Sequence, residues 1–186
     1  MDPNDEAALV RAVRGSDVHV AFCAASALSA WPANPLIDDA LLQATKSYDE
    51  SVAVTAAGAL AAHQNFEWSD DMLRRFSSFK DPLWRIRISG TLALGGHYDG
   101  WPYLVSMFTQ KQPTIEYPME ALWEVGKFAG MKDEHGQPVK LDEVLGRLYA
   151  TAPVEYREMI RSTMIQVGPP PPGPKRDTSK AALNDE

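Results

Sequence analysis

Four histidines and one cysteine are the side chains of this sequence best suited to metal or proton chemistry, and they are scattered. His19, His63, His97 and His135 contain no pair four residues apart, the spacing that places two metal ligands on one helical face. Cys23 stands alone in an apolar run, so it cannot close an internal disulfide and reads as a reduced, buried thiol. The sequence contains no glycine-rich phosphate loop and no nucleophile elbow. These patterns point away from catalysis and toward binding, with no cofactor.

The residues suited to binding recur with regular spacing. Asp38-Asp39, Asp70-Asp71 and Asp142-Glu143 are paired acids at equivalent places near the starts of helices. Carboxylates there satisfy free N–H groups and meet the positive end of the helix dipole. Read functionally, they form an acidic rim that attracts a basic protein surface. Residues 1–82 hold 12 acids against 6 bases, which concentrates negative charge in the first half. Arg74, Arg75 and Arg147 follow one turn later. Asp70–Arg74 and Asp71–Arg75 have the i, i+4 spacing of in-helix ion pairs, and the same arginines could anchor a partner's carboxylate. Trp31, Trp68 and Trp101 fall in turns between helices, with Tyr103 close by. Aromatics on such an edge either cover the core ends or serve as binding hot spots. Trp84 and Trp123 fall inside helices and are expected in the core.

The elements that position these residues follow from a step of 32. Ala27-Leu28, Ala59-Leu60 and Thr91-Leu92 are one ladder, Asp17, Asp49 and Asp81 a second, and Leu9, Leu41, Leu73 and Val105 a third. Three ladders in step predict an array of helix pairs. Each repeat reads as an Asp-capped A helix, a turn and a leucine-bearing B helix. The chain opens on half a repeat, with Gly15 ending its first helix. A1 keeps Val20, Ala24, Ala27 and Leu28 at helical spacing. Repeat four is irregular. Pro118 lies where the middle of its A helix should be, which predicts a late start or a kink. GMKDEHGQPVK at 130–140 is an insertion. Then come B4, beginning at Leu141, and a last A-type helix ending at Val167.

Composition bounds the rest. The chain has 186 residues, 45% of them hydrophobic, enough for one substantial core. Its net charge of −7 lacks the basic stripe of a nucleic-acid binder and disfavours an anionic membrane. The acidic N-terminus shows no leader segment and no run approaches a membrane span, so a cytoplasmic protein is expected. Residues 168–186 begin GPPPPGP and continue with charged and small residues, which cannot fold alone. They read either as a disordered tail or as a docking peptide in polyproline II form.

The repeat resembles the HEAT repeat in its short bacterial form, the form also found in phycobilin lyases. Its pattern is roughly Val-Arg-x-x-Ala-Ala-x-Ala-Leu followed by a leucine-rich helix and Asp-Pro. Val52, Ala56, Ala57, Ala59 and Leu60, with Asp81-Pro82 at the join, match best; Val20, Ala24, Ala25, Ala27 and Leu28 match in repeat one, and Arg85 keeps the arginine. The resemblance covers residues 1–167. It implies an all-α, right-handed α-solenoid of about four HEAT-like helix pairs with terminal half-repeats, its B helices lining the concave face. The function it implies is non-catalytic protein–protein binding by an adaptor, assembly factor or inhibitor, such as an immunity protein that neutralises a basic toxin. The alternative is an enzyme on the same scaffold, of the chromophore-lyase kind. Deoxyhypusine hydroxylases of this family carry repeated His-Glu pairs, and here only the reverse, Glu134-His135, occurs.

Overall fold

The structure is a computed structural model that describes residues 3–133 and 135–167. Among the described residues it is all-helical, with ten α-helices and two short 3-10 turns. In chain order the helices are α1 (Pro3–Val13), α2 (Val18–Leu28), α3 (Pro35–Ala44), α4 (Glu50–Ala62), α5 (Ser69–Arg75), α6 (Pro82–Leu94), α7 (Trp101–Thr109), α8 (Glu116–Val125), α9 (Leu141–Thr151) and α10 (Val154–Val167). The expectations for residues 168–186 fall outside the described residues.

The aspartate ladder is the start signal of alternate helices. Asp17, Asp49 and Asp81 each stand at the N-cap and accept a backbone N–H, from Val20, Val52 and Leu83 respectively. The Ser51 hydroxyl also donates to Asp49 and, with the Val52 and Ser51 amides, holds its carboxyl below the usual carboxylate range against the opposing effect of burial. The ends repeat as well. Gln64 and Gly96, one step apart, both adopt positive φ after α4 and α6, and the next amides return to the Leu60 and Leu92 carbonyls. Glu50 then joins successive units, because its carboxylate accepts the backbone N–H groups of Lys80 and Asp81, the latter being the next cap.

The Asp-capped helices lie side by side, α2 against α4 and α4 against α6, and α8 continues the row against α6 without an aspartate cap. Small residues permit this, and Ala53, Ala56, Ala57 and Ala59 of α4 are all buried. Leu28, Leu60 and Leu92 are fully buried in one core with Ile37, Leu41 and Met72. A second core gathers Leu104, Phe108, Val125, Phe128 and Leu145 toward the other end. By contrast α3, α5 and α7 scarcely touch one another.

Several expectations need correction. Leu73 is only partly buried, as are Leu9 and Val105; within that ladder Leu41 alone is enclosed. The buried ladder is Ala40, Met72 and Leu104. Trp68 sets this face: it enters the core at the start of α5, its Nε1–H donating to the Asn65 carbonyl at 2.8 Å, and Met72 follows one turn later. The face of α2 is Ala21, Ala24, Ala25 and Leu28, while Val20, Cys23 and Ala27 are exposed. The Cys23 sulfur lies 3.9 Å from His19 Nε2 on that open side. The irregularity of repeat four is present as anticipated. Helix α8 begins at Glu116, so Pro118 sits in its first turn and displaces no internal hydrogen bond. The insertion closes through an isolated bridge between Lys132 and Pro138, with Gly130 and Gly136 at positive φ.

Candidate functional site

The acidic pairs do not form a uniform rim. Helix α3 starts at Pro35 and is capped by Asn34, so Asp38 closes its first turn, whereas Asp70 and Asp71 open α5. Asp38, expected to be exposed, is partly buried and already engaged. Its Oδ1 meets His63 Nδ1 at 2.8 Å, and its Oδ2 accepts Asn65 Nδ2 at 3.1 Å. The other nitrogen of His63 lies 3.1 Å from the Leu28 carbonyl oxygen. Asp38 therefore ties α3 to the end of α4. Asp39 is exposed and pairs with Arg14 at 2.7 Å; Asp70 is exposed, 3.5 Å from His97. Asp142 and Glu143 are exposed, and Glu143 pairs with Lys140 at 2.8 Å.

The arginines divide in the same way. The expected Asp70–Arg74 and Asp71–Arg75 pairs are not formed; Arg74 pairs instead with Asp71 at 3.0 Å. Arg75 donates to the carbonyls of Thr45 at 2.5 Å and Ser47 at 2.7 Å, closing the C-terminal end of α3. It is a structural clamp, with two donors already committed, and cannot present a free fork to a partner. Arg147 is exposed on α9.

The aromatic edge mostly covers core ends. Trp68, expected as a hot spot, is 2% exposed. Trp101 is partly buried, stacked on Tyr98 and tilted against Phe128 with ring centroids 5.1 Å apart. Tyr103 lies under the Arg85 guanidinium at 4.3 Å, with Phe76 at 5.0 Å from the same cation. Burial pushes the Tyr103 hydroxyl above its ordinary value, and the nearby Arg85 charge opposes that shift.

An open apolar feature lies elsewhere. Trp123, expected in the core, is 78% exposed, and Met119 one turn before it is 47% exposed. Sequence register contained the signal. Counted from the Ala-Leu step, Trp123 occupies the place of Ala61 and Ala93, where the close approach of neighbouring helices admits only a small side chain. An indole there must face outward. Beside it runs a groove of about 390 Å³ between α8, α9 and α10, lined by Met119, Leu122 and Trp123 on one side and Leu141, Leu145 and Met159 on the others. It exists because α10 packs on α9 and only lightly on α8, whereas α6 and α8 are in close contact.

The groove is poor in reactive groups. Its two hydroxyls, Ser162 and Thr163, donate to the backbone carbonyls of Glu158 and Met159. The unusual titratable group of α8, Glu124, points the other way. It is buried against α6 and held by Lys127 Nζ at 2.7 Å; burial pushes its carboxyl up, and Lys127 opposes that. Among the described residues no group of three or more His, Cys, Asp or Glu side chains could hold a metal ion, and no helix is long and apolar enough to cross a membrane. Compared with known protein families and with curated proteins, the sequence matches no family model and no curated protein.

Proposed function

We propose that this chain is a non-catalytic protein-binding module, a short right-handed HEAT-like solenoid of about four helix pairs with half-repeats at its ends. One observation carries the reading: the groove beside Trp123, an apolar cleft with a large aromatic at its lip and no convergent polar groups. An exposed tryptophan flanked by methionines is the chemistry of an interaction anchor. A catalytic pocket would bring several free polar groups together. The exposed acids Asp39, Asp70, Asp142 and Glu143, with the half-buried Asp71, favour a partner with a basic rim around an apolar anchor.

The test is affinity capture with the full chain against Trp123→Ala and Met119→Ala variants, with circular dichroism to verify the fold. A partner retained by the native chain and lost by both variants supports the reading. A partner retained equally by all three refutes the assignment of the groove. A second reading follows from the groove's size, which falls within the range of roughly 300–1,000 Å³ typical of small-molecule sites. In that case an apolar ligand of the chromophore type would bind the same walls, and capture would yield a small molecule.

A further inference from the structure

We infer that Arg85, laid across Phe76 and Tyr103, receives a carboxylate side chain of a partner protein. The inference rests on reading the chain as a protein-binding module. It adds a second contact, on α5, α6 and α7, built by other helices than the groove.

The partly buried cations of the described residues are Arg75, Arg85, Arg87 and Lys127. Three of them have partners. Arg75 donates to the Thr45 and Ser47 carbonyls, Arg87 pairs with Glu120, and Lys127 pairs with Glu124. Arg85 has none. Its Nε is enclosed without an acceptor, and no N–H of its side chain enters a hydrogen bond or ion pair among the described residues. The other unpaired cations, Arg11, Lys46, Lys80, Lys132 and Arg147, are exposed, where water satisfies them. An enclosed donor without an acceptor is costly, and such a group in a native fold calls for a reason.

Packing does not supply that reason. At the equivalent places in α2 and α4 stand Ala21 and Ala53, both buried, so the row seats without a cation there. What holds Arg85 is aromatic. Its guanidinium carbon lies 5.0 Å from the Phe76 ring centre and 4.3 Å from that of Tyr103, and the two rings meet edge to face at 6.1 Å. The rings attract the cation through their π faces and offer no acceptor to its N–H groups. The planar fork that matches a carboxylate is therefore positioned and unspent. The Tyr103 hydroxyl is likewise without a hydrogen bond among the described residues, and burial favours its protonated, donating form.

The surroundings select the ligand. Asp81, one turn before Arg85, caps α6 through the Leu83 N–H and forms no ion pair with the guanidinium. One cation beside such an acid suits the single charge of a carboxylate, whereas phosphate groups are met by arginine clusters. Arginine and tyrosine together are also the composition of interface hot spots. On a chain of net charge −7 most of the surface repels an acid, so Arg85 fixes where a partner's carboxylate sits and with it the docking register.

The test follows the Arg85 Nε–H by NMR in the full chain, identified by its loss in Arg85→Lys. The probes are an end-blocked hexapeptide alternating glutamate with alanine and its glutamine counterpart, at equal ionic strength. The glutamate peptide should move the resonance saturably and bind several-fold more tightly than the glutamine peptide. Read from the Tyr103 ring resonances, that preference should vanish in Arg85→Gln and weaken in Arg85→Lys, which keeps the charge without the fork. Circular dichroism verifies the fold, and Arg85→Lys carries the comparison if the glutamine variant unfolds. Equal response to both peptides, an undiminished preference in the variants, or a resonance that stays still overturns the proposal. Acetate should displace the glutamate peptide; inorganic phosphate binding several-fold more tightly than acetate overturns the carboxylate assignment. Trp123→Ala should bind the glutamate peptide as the native chain does. Loss of the peptide in that variant places the acid in the groove, overturning the Arg85 site and leaving the groove reading intact. Partner capture unaffected by Trp123→Ala and Met119→Ala, with the Arg85 results as expected, refutes the groove and supports this site.

Discussion

Two glycines one repeat step apart should respond to the same substitution with opposite sign. Gly58 lies in α4 and Gly90 in α6, both inside helices. An added Cβ at Gly58 meets nothing within 4 Å. Alanine there gains helix propensity, so Gly58→Ala should stabilise by about 0.5–1 kcal/mol. At Gly90 the same atom would lie 1.8 Å from Glu124 Oε2 and 2.8 Å from both Cβ and Cδ of Glu124. Moving the carboxylate alone does not relieve this, since Cβ is fixed by the α8 backbone. Overpacking of this kind costs roughly 1–3 kcal/mol, and the high end applies because Glu124 must also leave Lys127. Subtracting the propensity gain of about 1 kcal/mol leaves a net loss of about 2 kcal/mol. For a chain of this length that lowers the melting temperature by about 4–8 °C, measurable by circular dichroism. Glu124→Ala in the same chain should recover part of the loss, because only the 2.8 Å contact with Cβ then remains. A Gly90→Ala variant as stable as the native chain, or more so, would refute the close approach of α6 and α8 that underlies the whole row.

Three further outcomes are expected. Leu60→Ala should cost ~2–5 kcal/mol in denaturant unfolding, and Leu73→Ala clearly less, because Leu60 is fully enclosed and Leu73 only partly so; equal losses would restore the Leu41–Leu73 ladder as the core. Asp38→Ala should lower the melting temperature more than Asp70→Ala, since Asp38 holds His63 and Asn65 while Asp70 is exposed; the reverse order would contradict this division. Glu124 has a folded pKa raised above its unfolded value, so its contribution is fully present below about pH 4.5 and is lost as pH rises through the higher folded value. The stability of Glu124→Gln relative to the native chain should therefore improve from pH 4.5 toward 7, and a flat difference would show that Lys127 compensates burial completely.

The features legible in the sequence are those fixed by local chemistry. An aspartate cap acts within three residues, so Asp17, Asp49 and Asp81 predicted their helices directly. Leu28, Leu60 and Leu92 were legible because each helix meets a similar neighbour at the same face. The misread positions are those whose environment is set from far along the chain. Val20, Cys23 and Ala27 look apolar enough to be buried, but α2 opens its row, and no earlier Asp-capped helix covers that side. The engagement of Asp38 depends on His63, 25 residues away, and that of Arg75 on carbonyls 28 and 30 residues away. The face of α5 turned on Trp68, whose place in a turn concealed its burial. The site itself was half visible: Asp142 and Glu143 adjoin the groove, while Trp123 was assigned to the core.

The departures from regularity are concentrated in one place. Pro118 shortens the start of α8, the insertion at 130–140 lengthens its link to α9, and a tryptophan replaces the small residue found at Ala61 and Ala93. Each change by itself would weaken a repeat that only had to stack. Together they open a cleft that the regular repeats lack, because a bulky Trp123 cannot be covered by a closely seated α10. Local rules broken without an evident packing gain are expected where a surface is used. The same end carries further exposed apolar side chains, Ile115, Tyr149, Val154 and Met164, which an end cap built only to face water would avoid. The irregular segment is therefore where the apolar cleft and the most exposed tryptophan coincide, while α2, α4 and α6 keep the regular close packing.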